Sequence, residues 1–181
     1  MGKLYPQLDD QLRAFIGEQK LFFIATAPAE GRINLSPKGM DTFRCLDART
    51  VAYLDLTGSG NEAAAHLAEN GRMTIMFCSF SEKPLILRLY GRGRVVLPGG
   101  GEWADLRRLF PELPGERQIV VLDLDSALTS CGYGVPVYEL KEERQTHVRW
   151  SLKMGEERLR EYREEKNRVS LDGLPAYPRE G

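Results

Sequence analysis

The sequence predicts a mostly β chain, a barrel with peripheral helices. Three observations carry this reading. β-type segments recur at close spacing between Leu21 and Leu124, as they do in barrels and sandwiches. The helical segments between them are short and do not alternate with strands as a doubly wound sheet requires. The chain has 181 residues, 42% of them hydrophobic, which suits one core of ordinary size. The expected organisation is a single domain: a helix over 1–20, a barrel over 21–136, a charged helical region over 137–168 and an extended tail over 169–181.

Each element has a local reason. Leu8, Leu12, Phe15 and Ile16 recur at helical spacing, with Asp9 or Asp10 placed to start the helix. Leu21–Ala27 is the first strand, and Glu30-Gly31 is a turn. Ile33–Gly39 is the second strand. Its Pro37 lacks an N–H for the ladder, so it belongs at an edge, a bulge or a strand end. Thr50–Leu56 is the third strand, rich in β-formers. Thr57-Gly58-Ser59-Gly60 is a turn of small residues. Ser59 with Glu62 three positions later reads as a capping box, which makes Ser59 the expected N-cap. Glu62–Glu69 is an alanine-rich helix stopped by Asn70-Gly71.

Met73–Phe80 and Leu85–Leu97 are the fourth and fifth strands, with Gly91 and Gly93 marking a bend or bulge. Glu102–Phe110 is a short helix ended by Pro111 and Pro114. Gln118–Leu124 is a dense apolar strand, and a second glycine-rich stretch runs from Ser130 to Pro136. Glu139–Arg168 has helical spacing and balanced charges, so solvent-facing helix is expected, divided in two at Gly155. Ser170–Gly181 reads as an extended tail available to a partner subunit.

Composition excludes several functions. The net charge of −1 gives no electrostatic case for nucleic acid or an anionic membrane. Apolar runs such as Leu21–Ala25 are too short to span a bilayer. The start of the chain lacks a basic region followed by an apolar one, so a cytoplasmic protein is expected. Three cysteines at wide spacing and two distant histidines predict neither a disulfide framework nor a metal site.

Phe23-Ile24-Ala25-Thr26-Ala27, Ile33-Asn34-Leu35-Ser36-Pro37-Lys38-Gly39, the stretch from Tyr53 to Phe77, and Ile86-Leu87-Arg88-Leu89-Tyr90-Gly91 together resemble the pyridoxamine 5'-phosphate oxidase-like flavin-binding split barrels. The likeness runs over residues 9–140. It implies a six-stranded split barrel, a homodimer, two FMN molecules at the subunit interface and two-electron chemistry on a small molecule. It does not extend over the C-terminal substrate-binding region of pyridoxamine 5'-phosphate oxidase itself, so that particular activity is not expected.

The candidate site begins at Thr57, Gly58, Ser59, Gly60 and Asn61. A glycine turn feeding a helix N-terminus presents backbone N–H groups to an anion. The alternative is an ordinary helix start. The resemblance adds Ser36 and Lys38 on the second strand as phosphate and ring contacts. Arg88 sits in an apolar run, where a charge needs a partner or a ligand. The alternative is a wet outer face shared with Tyr90, Arg92 and Arg94. Tyr133, between Gly132 and Gly134, could stack on a planar ligand or on the other subunit, or simply belong to a tight turn.

Relatives carry basic residues at the helix start, where this chain has Asn61-Glu62-Ala63-Ala64-Ala65. Glu62 puts a carboxylate where a dianion would sit, so weak FMN binding is expected. The second reading is a flavin-free split-barrel dimer with a binding or structural role. Cys131 is expected to pack, His66 to face either solvent or the barrel, and His147, Trp103 and Trp150 to be structural.

Overall fold

The computed structural model describes residues 2–176. In chain order the elements are β1 (Leu4–Tyr5), α1 (Asp10–Glu18), β2 (Phe22–Thr26), β3 (Asn34–Lys38), β4 (Phe43–Cys45), β5 (Thr50–Leu56), α2 (Glu62–Asn70), β6 (Arg72–Cys78), β7 (Ile86–Val96), α3 (Trp103–Arg107), β8 (Glu116–Ser130) and α4 (Thr146–Lys166). The strands form one sheet in the order β3-β2-β6-β7-β8-β5-β4, with β1 also on β8. Every pairing is antiparallel. The sheet curls into a half-barrel with helices at its periphery. Six of its strands match the six expected, and the other two, β1 and β4, are short additions of 2 and 3 residues.

Curling brings the sheet's far edges together. Phe22 on β2 and Phe43 on β4 meet edge to face at 5.0 Å, and Phe77 and Tyr53 complete the cluster. Around it lies the main core, with Leu12 and Ile16 of α1, Ile24, Ile75, Leu87, Leu89 and Leu122. β5 and β8 bury their other face as well. Ala52, Leu54, Ile119 and Val121 pack under α3 with Phe110 and Trp103. Burial on both faces explains why these two strands read as unbroken apolar runs rather than alternating ones.

Glycines sit where the backbone leaves no room. Gly91 follows a register shift between β7 and β8, and a Cβ there would lie 2.0 Å from the Asp123 carbonyl oxygen. Gly71 ends α2 at φ 70°. Pro37 is accommodated because β3 is an edge strand.

The C-terminal region differs from expectation. Regular helix begins at Thr146, not Glu139. Gly155 divides it as the sequence predicts, at φ 72° and ψ 162°. The tail, read as available to a partner, instead lies on its own barrel as far as Ala176. Asp172 pairs with Arg32, and Leu171 donates its N–H to Glu62 at 3.0 Å. The rest of the expected tail, 177–181, lies outside the described residues.

The sheet's outer face is half-covered. In register across it stand Pro37, Phe23, Met76, Arg88, Leu128 and Leu4. Phe23, Met76, Arg88 and Leu128 are only partly buried, while Leu4 and Leu35 are exposed. No helix among the described residues is long and apolar enough to cross a membrane.

Candidate functional site

A pocket of about 300 Å³ opens between β3 and the turn that follows β5. Alternation on β3 turns Asn34, Ser36 and Lys38 inward, each opposite a buried residue of β2. Facing them are Gly58, Ser59, Gly60 and Asn61 of the turn, with Glu62 and Ala63 at the start of α2. Asp55 and Arg117 line the same space.

Asp55 is the centre of a buried polar network. It is 2% exposed, in a strand whose neighbours are apolar. Its Oδ1 accepts from Lys38 Nζ at 2.7 Å. Its Oδ2 accepts from Arg117 Nη2 at 2.6 Å and from Gln118 Nε2 at 2.8 Å. Two consecutive residues, Arg117 and Gln118, reach one carboxylate because the β5–β8 register shifts between Asp55 and Leu56. A bulge of this kind re-aims a side chain that alternation would send the other way. Burial by itself would raise the Asp55 carboxyl, but Arg117 and Lys38 outweigh it and hold Asp55 well below the usual carboxylate range.

The network continues into the turn. Gln118 and Asn61 exchange amide hydrogen bonds at 2.8 and 3.3 Å. Asn61 also donates to the Ala176 carbonyl at 2.9 Å. Arg117 Nη1 donates to the Gly60 carbonyl at 3.0 Å and to Asn167 Oδ1 at 2.7 Å. Asn167 Nδ2 donates to the Gly58 carbonyl at 3.0 Å. A longer chain runs along β3: Ser36 Oγ to Asn34 Oδ1 at 3.2 Å, Asn34 Nδ2 to Thr26 Oγ1 at 3.4 Å, and Thr26 to His66 Nδ1 at 3.0 Å.

Of the residues nominated from sequence, Ser36, Lys38, Gly58, Ser59, Gly60 and Asn61 come together here. Thr57 lies beneath the pocket, 1% exposed, held by Gly115 and Arg163. Arg88 and Tyr133 do not line it. Arg88 stands half-buried on the sheet's outer face and donates to Ser130 Oγ at 3.0 Å. Tyr133 is 82% exposed.

Three local expectations are corrected. The N-cap of α2 is Asn61, not Ser59, and it makes no side-chain cap bond because its Oδ1 accepts from Gln118 Nε2 instead. Glu62 does not close a capping box; both its carboxylate oxygens accept from the Leu171 N–H. Cys131 is exposed rather than packed. Of the two sides open to it, His66 takes the barrel side and is 1% exposed. Asp55, Arg117, Gln118 and Asn167 were missed altogether.

The pocket offers backbone N–H donors, two hydroxyls, two amides and one ammonium, with its two cations and two carboxylates balanced. It suits an oxyanion or a phosphate ester held mainly by hydrogen bonds. Among the described residues no group of three His, Cys, Asp or Glu side chains could hold a metal ion.

Comparison with known proteins gives concordant results. The family model described as pyridoxamine 5'-phosphate oxidase matches residues 8–131. The pyridoxamine 5'-phosphate oxidase family protein ustO of Aspergillus flavus is 39% identical over 200 residues, covering 97% of this chain and 78% of that one. Two solved structures share the fold at 20% identity. HupZ of Group A Streptococcus, in a histidine-to-alanine variant, superposes with a TM-score of 0.53 over 67% of this chain and 98% of that one. A putative pyridoxamine 5'-phosphate oxidase from Lactobacillus delbrueckii does so with a TM-score of 0.52 over 67% and 93%.

Proposed function

We propose, for a chain that belongs to the pyridoxamine 5'-phosphate oxidase family, an FMN site in the pocket between β3 and the Gly58–Asn61 turn. The chain would then act as a flavin-dependent oxidoreductase on a small molecule, working as a homodimer across the half-covered sheet face. The observation that carries this reading is the turn itself. None of the N–H groups of Gly58, Ser59, Gly60 and Asn61 has a hydrogen-bond partner among the described residues. Four unclaimed donors in a row beside a lysine are an anion-binding surface.

The residues present fit a phosphate. The turn would hold it with backbone N–H groups, Ser59 and Ser36 with hydroxyls, and Lys38 with its ammonium. Gly58 and Gly60 keep side chains out of the approach. A bound flavin supplies the two-electron chemistry; the protein contributes binding and orientation. Glu62 opposes the phosphate less than its position suggests, because its carboxylate is engaged by the tail. Lys38 attracts it less as well, because Asp55 already holds it. Affinity of micromolar order is expected, about 8 kcal/mol.

The flavin-free dimer is favoured by one observation: both cations at the pocket are already paired with Asp55. Calorimetric titration with FMN separates the two readings. Heat and quenching of flavin fluorescence in the micromolar range support the flavoprotein. Neither signal at ~100-fold higher FMN leaves the flavin-free dimer.

A further inference from the structure

We infer that α4 and the chain just beyond it position the phosphate cradle, with Asn167 and His147 as positioning residues; this rests on the FMN reading. Three carbonyls of the turn are each held by a side chain. His147 Nε2 bonds the Thr57 carbonyl at 2.9 Å. Asn167 Nδ2 bonds the Gly58 carbonyl at 3.0 Å. Arg117 Nη1 bonds the Gly60 carbonyl at 3.0 Å, and the same atom bonds Asn167 Oδ1 at 2.7 Å. Arg163 Nε adds a bond to Thr57 Oγ1 at 2.9 Å.

Peptide planarity turns this into aim. In a trans peptide the C=O and the next residue's N–H point in opposite directions. Holding the Thr57, Gly58 and Gly60 carbonyls therefore directs the N–H groups of Gly58, Ser59 and Asn61 away from His147, Asn167 and Arg117. Those three N–H groups are among the four left without a partner. A glycine turn with no such anchors would rotate its peptides freely, since Gly58 and Gly60 carry no side chain to restrict them. Asn167 is fully buried, and its amide is used on both sides, by Arg117 and by Gly58. His147 is set in turn by Ser151, 3.4 Å from its Nδ1.

These anchors lie outside residues 8–131, the part matched by the family model, with the exception of Arg117. The cradle is thus assembled from the barrel in front and from α4 behind. Glu62 belongs to the same arrangement, since it ties the chain after α4 to the start of α2 through the Leu171 N–H. A carboxylate at this place serves as a latch for the segment that sets the turn.

The test compares FMN with riboflavin, which lacks the phosphate, on the full chain. The wild type should favour FMN, and Asn167→Ala should lose about five- to tenfold in FMN affinity, the value of one buried hydrogen bond, with riboflavin affinity unchanged. His147→Ala should show the same selective loss. His147 is only partly buried, so this variant serves if Asn167→Ala does not fold. A structural role alone would weaken both ligands together or lower only the melting temperature. A wild type that prefers FMN, with variants that keep the same preference, overturns the positioning role and leaves the FMN site standing. A wild type that binds both ligands equally, or neither, overturns the cradle and its positioning together.

Discussion

Asp55 gathers both cations of the pocket onto one buried carboxylate, and its loss would leave Lys38 and Arg117 facing each other unpaired. Removing one member of a buried ion network costs about 3–5 kcal/mol, so Asp55→Asn should lower unfolding free energy by that order in urea denaturation. The same carboxyl gives a pH signature. Its folded pKa lies below the unfolded value, so its stabilisation is fully present above the unfolded pKa and lost as pH falls toward the folded one. The gap between wild type and Asp55→Asn should therefore narrow below about pH 4, and a gap constant from about pH 6 to about pH 3 would count against the account. Asp55 was legible in principle. It is a charge inside Tyr53-Leu54-Asp55-Leu56, the same anomaly that singled out Arg88. Arg88 is half-buried on the outer face of the sheet, whereas Asp55 is buried in a strand that is covered on both faces. Arg117 was not legible, since its inward aim depends on a bulge that no residue type announces.

At the level of elements, local chemistry gave most of the order. Asp9 caps α1 by accepting from the Leu12 N–H at 2.8 Å, Gly71 ends α2, and Pro37 marks an edge strand. Local chemistry failed where a distant segment competed for the same groups. The Ser59–Glu62 capping box is sound as a pattern, but Leu171 claims Glu62, and Gln118 and Ala176 claim Asn61. Those competitors lie more than fifty residues away in sequence, beyond the reach of any short motif. Gly155 shows the converse case, a break fixed by backbone alone. Its φ of 72° and ψ of 162° fall in a region essentially reserved for glycine, and a Cβ there would meet nothing within 4 Å. Gly155→Ala should thus destabilise through strain only, by about 1–3 kcal/mol, in denaturant melts. An unchanged midpoint would mean that α4 can run straight through this position and that its bend is not needed to deliver Asn167 to the turn.

For the whole molecule, the outer face of the sheet is where the proposed homodimer would form. Phe23, Met76, Arg88 and Leu128 stand side by side across four adjacent strands, with Pro37 and Leu4 at the ends of the row. Ile33 and Leu35 next to them are 77% and 65% exposed. A largely apolar patch on a sheet face, broken here only by Arg88, is uncommon for a monomer and is where two copies are expected to meet. The face also forms the outside of β3, whose inner side carries Ser36 and Lys38, so a second copy seated there would border the pocket. A homodimer is the expected state in light scattering at micromolar protein. Phe23→Lys places a charge in the middle of the row, opposite Pro37 and Met76, with its side chain outside the main core. It should shift the mass to that of a monomer while leaving the circular dichroism of the sheet in place, because the buried side of β2 (Phe22, Ile24 and Thr26) is untouched. FMN affinity should fall in the same variant if the pocket is completed across the interface, and stay at the wild-type value if one chain suffices. A wild-type mass equal to one chain, or a Phe23→Lys variant that remains a dimer, would show that this face is not where two copies meet.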